Sequence, residues 1–490
     1  MVFSSLIFLY AFLPASLIAY RLCRGMQAQN ICLLVFSLIF YAWGEPIYVL
    51  LLAAMALLDW YLALRISRER KAGRTGKPWL LLACIGDLGL IGFFKYSGMV
   101  ASLFGPLPPF IENLALPIGI SFYTFQLLTY VVDVYRGQAE AREKYWHVLL
   151  YAALFHQCIA GPIVRYGSIE RELFVRREAG ADMASGVRRF AVGLAKKTLL
   201  ANPCGAMADS MLLTEAAISG NLAGSLEMLR GASALQLWVG VIAYFFQIYF
   251  DFSAYSDMAI GMGRMLGLHY PENFDYPYIS KSVTEFWRRW HISLGTFFRD
   301  YVYIPLGGSR RGRLRTVVNL FVVWALTGLW HGADWNFVLW GLYYFVILMV
   351  EKLVLRRWLE HRHGILGEAA AHLYVLIAVL LGWILFRFSD LRAVWMVVCG
   401  LFGANGNPGT DFLTAVELRS DLFLLLFSVI AATPLFKKLG QRWEKCGKGS
   451  ALARTTYGVF ADWLLPVALL LASTACLVGN SYNPFLYFKF

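Results

Sequence analysis

Charge is scarce in this sequence. Only 15% of its 490 residues are Asp, Glu, Lys or Arg, while 59% are hydrophobic. Soluble domains carry about a quarter charged residues and about half apolar ones. A water-facing fold could not hide this much apolar surface, so a bilayer must act as a second solvent. Long polar stretches are also missing, which excludes a separate soluble domain and leaves one polytopic domain over 1–490. The eight Cys, at 23, 32, 84, 158, 204, 399, 446 and 476, form no CxxC pair. Neither a disulfide framework nor a metal site is expected from them, and most read as small apolar packing residues. Short alternating segments of the outer-membrane barrel kind are absent, which leaves helices as the spanning elements. No basic residue precedes the first apolar run, "MVFSSLIFLYAFLPASLIAY"; Arg21 and Arg24 follow it. That order predicts a first span entering from outside, not a cleavable signal peptide.

What is present is a series of apolar runs near 2–20, 31–43, 47–64, 78–97, 114–135, 187–203, 234–262, 371–388, 421–436 and 459–479. Most approach the length needed to cross about 30 Å of hydrocarbon. The expected fold class is an all-α polytopic membrane protein, a helical bundle of roughly 10–12 membrane segments. Basic loops at 65–77, 165–189, 288–315, 352–362 and 437–454 are assigned to the cytoplasm, and basic-poor connections at 44–46, 98–113, 204–229 and 401–420 to the outside. Both termini then fall outside a bacterial cytoplasmic (inner) membrane. The formal charge of +13 has the same origin, so no nucleic-acid partner is expected. Two segments do not alternate: 146–164, and the 316–354 block, interrupted at Gly332–Asn336. Re-entrant segments would reconcile both. Non-helical backbone at membrane depth is tolerated only against protein or a wet cavity, so a cavity is expected beside the interruption.

Titratable groups stand out against this background. The stretch "LTGLWHGADWNFVLWG" (326–341) places His331 and Asp334 in an otherwise apolar, aromatic segment. Ionisable residues at membrane depth are costly and usually functional, and imidazole is the side chain most easily tuned to take a proton near neutral pH. A second unusual stretch is 277–309. At helical spacing Trp287, Trp290, His291, Leu294 and Phe298 share one face, with Arg288, Arg289 and Arg299 mostly off it. The spacing predicts one amphipathic helix over 285–299 at the membrane interface, with Arg on lipid phosphates and Trp in the aromatic belt. An imidazole on the buried face does not suit a mere anchor. Asp251 and Asp257, near a span end, either pair internally and lock helices or line the cavity.

The wording of these stretches is specific. "EFWRRWHISLGTFFRDYVYIPLGG", followed some forty residues after its His by "GLWHGADWNFVLWG", resembles the membrane-bound O-acyltransferase superfamily, in the alginate O-acetylation membrane protein branch. "LPIGISFYTFQLLTYVVDVYRG" (116–137), "IAGPIVRY" (159–166), "YFDFSAYSDMAIGMG" (249–263) and the ending "NPFLYFKF" (483–490) are similar to that branch as well. The resemblance implies a helical funnel through the bilayer and an enzyme that moves an acyl group from a cytoplasmic thioester to a hydroxyl. It maps the near-invariant catalytic His onto His331 and the second functional His onto His291.

Acyl transfer needs a base for the attacking hydroxyl and donors for the developing oxyanion. His331 is expected as general base and His291 as positioner or donor beside the thioester. Trp330 and Asp334 either pack against or orient His331. Trp330, Asp334, Asn336, Trp287, Arg288, Arg289, Trp290, Asp251 and Asp257 are candidates for lining the funnel or binding the donor. Arg310 and Arg311, with Arg313 and Arg315, suit an anionic donor such as acetyl-coenzyme A or an acyl carrier, or are ordinary positive-inside charge. No cofactor is expected to stay bound. No Ser-centred hydrolase signature is visible, so the resemblance implies an extracytoplasmic SGNH-type acetyltransferase partner for the last transfer to a polysaccharide. Two rival readings are a D-alanyl transferase of the teichoic-acid type and a transporter or glycan-export channel. The second lacks the paired halves that transporters show.

Overall fold

The computed structural model describes residues 1–490 except 107, 113, 177–179, 362–363, 448–450, 481 and 485–490. The ending of the tail motif, and part of the basic loop 437–454, therefore lie outside the described residues. No strand occurs among the described residues, and the elements are α-helices with short π and 3-10 turns. Among the described residues eight helices are long and apolar enough to cross a membrane, or nine if the bent pair Phe412–Ala431 and Leu435–Lys445, at 58°, counts as one broken span. The number is below ten because several apolar runs form shorter helices. Residues 114–135 give Ile120–Arg136 (17 residues), and 187–203 gives Gly180–Ala195 followed by a π turn, Lys196–Ala201, that carries two lysines.

The chain forms two compact units, Met1–Leu194 with Tyr255–Glu272 and Leu465–Leu470, and Ala195–Ala254 with Asn273–Leu464 and Leu471–Phe490. In the first, Ile120–Arg136 is the central helix, buried along nearly its whole length. Its end is set by Gly137 in the left-handed region (φ 75°), whose N–H returns to the carbonyls of Asp133 and Val134. Arg70 donates to the same Val134 carbonyl at 2.8 Å, adding a side-chain bond at the helix end. The segment expected to be re-entrant is a helix over Tyr145–Ala153 followed by irregular backbone in which Phe155, His156 and Gln157 are fully buried. It lies so close to the start of the central helix that a Cβ on Gly119 would stand 2.5 Å from the Cys158 carbonyl oxygen.

In the second unit, Arg313–His331 and Trp335–Val350 pack as a helical hairpin. Gly328 and Gly341 let the backbones meet: a Cβ on Gly328 would stand 2.5 Å from the Phe337 carbonyl oxygen, and one on Gly341 2.4 Å from that of Trp324. The interruption expected at Gly332–Asn336 is thus a tight turn between Arg313–His331 and the continuous helical stretch Trp335–His361, each long and apolar enough to cross a membrane. Glu351 reaches back to accept from the backbone N–H groups of Val283 and Thr284, fixing the start of the Val283–Arg289 helix.

Candidate active site

His331 is the last residue of its helix. Gly332 follows in extended conformation, and a Cβ there would meet the Phe337 ring at 2.2 Å, so only Gly lets that ring close over the turn. The imidazole is buried, 6% exposed, and meets the rings of Trp330, Trp340 and Phe386 edge-on at 4.8, 4.9 and 5.2 Å between centroids.

His291 occupies a different kind of break. The single helix expected over 285–299 is two, Val283–Arg289 and Ile292–Phe298, because His291 adopts a left-handed conformation (φ 46°, ψ 53°) that no α-helix can continue. Such a conformation in a non-Gly residue costs on the order of 1–3 kcal/mol and persists only where its surroundings enforce it. Asn273 supplies that enforcement. Its carbonyl oxygen accepts from Ile292 N–H at 3.0 Å, and its side-chain Oδ1 accepts from Ser293 N–H at 3.2 Å and Ser293 Oγ at 2.9 Å. A backbone N–H can only donate, so the Asn273 atom facing it is the oxygen. His291 Nδ1 stands 3.2 Å from the same oxygen and must therefore be the donor, which leaves the imidazole lone pair on Nε2. Burial pushes His291 down to about 3, so the ring is neutral at pH 7.

The two imidazoles share a neighbour. Trp330 packs on His291 at 5.6 Å and on His331 at 4.8 Å. Phe252 closes the far side of His291, edge-on at 4.6 Å. The aromatic face expected to lie in the membrane interface is instead packed inside the unit: Trp290, His291, Leu294 and Phe298 are each under 5% exposed, and Trp290 meets Trp383 at 4.8 Å. Trp287 is wedged among Trp324, Trp340 and Tyr344. Asn336 is buried, with Nδ2 3.4 Å from the carbonyls of Leu385 and Phe386, and ties the hairpin to the Gly364–Arg387 helix.

Asp334 is exposed at the N-cap of Trp335–Val350, and among the described residues it makes no side-chain hydrogen bond or ion pair with His331. Asp251 is buried against Lys197 at 2.6 Å, and Lys197 also donates to the Pro484 carbonyl. Asp257, in the first unit, pairs with Arg189 at 2.7 Å. Both acids are thus ion-paired. Arg289 pairs with Glu285 and Asp275, while Arg288, Arg310 and Arg311 are exposed. Sequence reasoning missed Asn273, Ser293, Phe252, Trp340 and Phe386. Asn273 lies 18 residues before His291 across irregular backbone, where no periodicity connects them.

Residues 136–386 match the membrane-bound O-acyltransferase (MBOAT) family. Over the whole of both chains the protein is 34% identical to the probable alginate O-acetylase AlgI of Pseudomonas aeruginosa. It is 30% identical to the peptidoglycan O-acetyltransferase of Helicobacter pylori, over 100% of this chain and 98% of that one. The teichoic acid D-alanyltransferase of Bacillus subtilis is 29% identical over 49% of this chain and 60% of its own. The chain belongs to the membrane-bound O-acyltransferase family. It is a multi-pass membrane enzyme of the O-acyltransferase class.

Proposed function

We propose that the chain takes an acetyl group from a cytoplasmic thioester and passes it across the membrane for O-acetylation of an exported or cell-wall polysaccharide. The observation that carries this reading is the pair of buried imidazoles that both pack on Trp330, one of them held neutral with its lone pair on Nε2. Acyl transfer needs a neutral base beside the attacking hydroxyl in a site that excludes water. In this reading His331 takes the hydroxyl proton as oxygen attacks the thioester carbonyl. The C–S bond then breaks, and the leaving thiolate recovers the proton from the imidazolium. His291, clamped by Asn273, accepts a hydrogen bond at Nε2 and orients the reacting group. A neutral His291 cannot donate from that nitrogen, so the oxyanion is left to other donors. Exposed Arg310 and Arg311 suit the phosphates of coenzyme A or an acidic carrier.

The acetyl group and the polysaccharide come from the relatives' names: the two full-length matches above are an alginate O-acetylase and a peptidoglycan O-acetyltransferase. The D-alanyl reading draws on a relative matching about half the chain. The test is incubation of the detergent-purified protein with labelled acetyl-coenzyme A, with and without an SGNH-type partner, followed by location of the label. Label reaching the partner or polysaccharide only when this chain is present supports the proposal. Label that stays on coenzyme A throughout contradicts it.

A further inference from the structure

Arg176 in the first unit is a buried cation that makes no ion pair among the described residues. Arg176 is 8% exposed. Its Nε donates to Tyr20 Oη at 2.9 Å and one terminal nitrogen to Asn30 Oδ1 at 2.6 Å, both neutral acceptors. The other terminal nitrogen, Nη1, is buried with no hydrogen-bond partner among the described residues. Among the acids close in sequence, Glu178 lies outside the described residues, Glu170 pairs with Arg142, and Glu172 and Asp182 lie against His269. Removing a charge from water without pairing it is the costliest kind of burial.

A second open donor belongs to the same cluster. His156 is fully buried and its Nδ1 stands 2.6 Å from Tyr270 Oη. Either atom can donate in that contact. With the hydroxyl donating to Nδ1, the imidazole carries its own hydrogen on Nε2, which is buried and has no hydrogen-bond partner among the described residues. The Arg176 charge acts on both the His156 ring and Tyr270, and Tyr20 Oη, which receives Arg176, itself reaches the Leu266 carbonyl at 3.4 Å, four residues before Tyr270.

We infer that Arg176 and His156 form a buried receptor for a phosphate-type oxyanion, whose charge offsets the guanidinium and whose oxygens accept from Nη1 and Nε2. The shared chemistry is a phosphate ester, borne by an anionic lipid headgroup or by a soluble molecule. Nothing in this rests on acyl transfer or on either imidazole of the second unit.

The experiment measures Tm of delipidated protein in detergent with phosphatidylglycerol, inorganic phosphate or coenzyme A, each against chloride at equal ionic strength. At least one arm should raise the Tm of the parent. Its half-saturating concentration should rise about tenfold or more in Arg176→Gln and in His156→Phe, with Arg176→Lys in between. A response to lipid alone identifies a headgroup, and a response to phosphate or coenzyme A a soluble ester. No response beyond chloride overturns the inference, as does an equal response in the Arg176 variants. So does a response that appears only in Glu178→Gln, since the chain's own carboxylate would then fill the site. Should the variants not fold, native mass spectrometry of the lightly delipidated parent decides. One retained phosphate-bearing adduct supports the site, and its absence overturns it.

Discussion

Asn273 Oδ1 stands 3.2 Å from His291 Nδ1 while the same oxygen accepts from the Ser293 backbone, and this arrangement fixes which imidazole nitrogen carries the hydrogen. Removing the oxygen should therefore loosen both the tautomer and the left-handed backbone. Asn273→Ala is expected to lower kcat/KM about tenfold or more, in line with other groups that orient a functional His. His291→Gln should lose most of the activity with the protein still folded, and Arg289→Lys should be milder because it keeps the charge and loses only the planar fork. A His291→Gln variant as active as the parent would remove His291 from the site.

The same contact gives a pH prediction. Burial holds His291 at about 3, below its ordinary 6.5. The unfolded chain takes this proton as pH falls through 6.5, while the folded chain does not until about 3. The depressed imidazole therefore contributes stability that is present above pH 6.5 and falls away between 6.5 and 3, visible as a declining Tm. Asn273→Asp places a carboxylate beside the ring, favours the imidazolium and raises its pKa. Activity that needs neutral His291 should then be lost at a higher pH than in the parent. An unchanged acid limb in Asn273→Asp would contradict the assignment.

Close backbone contact makes the hairpin sensitive to one methyl group. Gly341→Ala should lower Tm in detergent, because the new Cβ would stand 2.4 Å from the Trp324 carbonyl oxygen. Overpacking of this kind costs about 1–3 kcal/mol. Gly89→Ala is the control: nothing lies within 4 Å of its Cβ position, so Tm should hold or rise. Equal behaviour of the two variants would argue against tight packing at Gly341.

Much of this was legible in the sequence, for reasons that differ by element. The spans were visible because apolar composition over one helix length is a local property, as in Tyr48–Lys71 and Gly364–Arg387. His331 and His291 stood out because titratable groups are rare in apolar segments. The break at His291 was hidden, since helical spacing of Trp287, Trp290 and Leu294 persists on either side of one left-handed residue. Asn273 was hidden because its pairing with His291 is made by tertiary structure. Asp334 stood out through nearness in sequence to His331; in the turn it is exposed and makes no side-chain cap bond.

Asp334→Asn supplies the matching prediction. As an exposed N-cap without a side-chain cap bond, it should be replaceable with activity within about twofold of the parent, as for surface changes away from special features. A severe loss, measured as acyl transfer by the purified variant, would return Asp334 to the site.

The account's central claim is that His331 is the base for acyl transfer. Its most direct test is single-turnover consumption of labelled acetyl-coenzyme A by purified parent and His331→Ala, with partner present and folding checked by Tm. A general base contributes about 10²–10⁴ in rate, so the variant should fall by that factor at unchanged Tm. Transfer by folded His331→Ala at a rate near the parent's would contradict the claim.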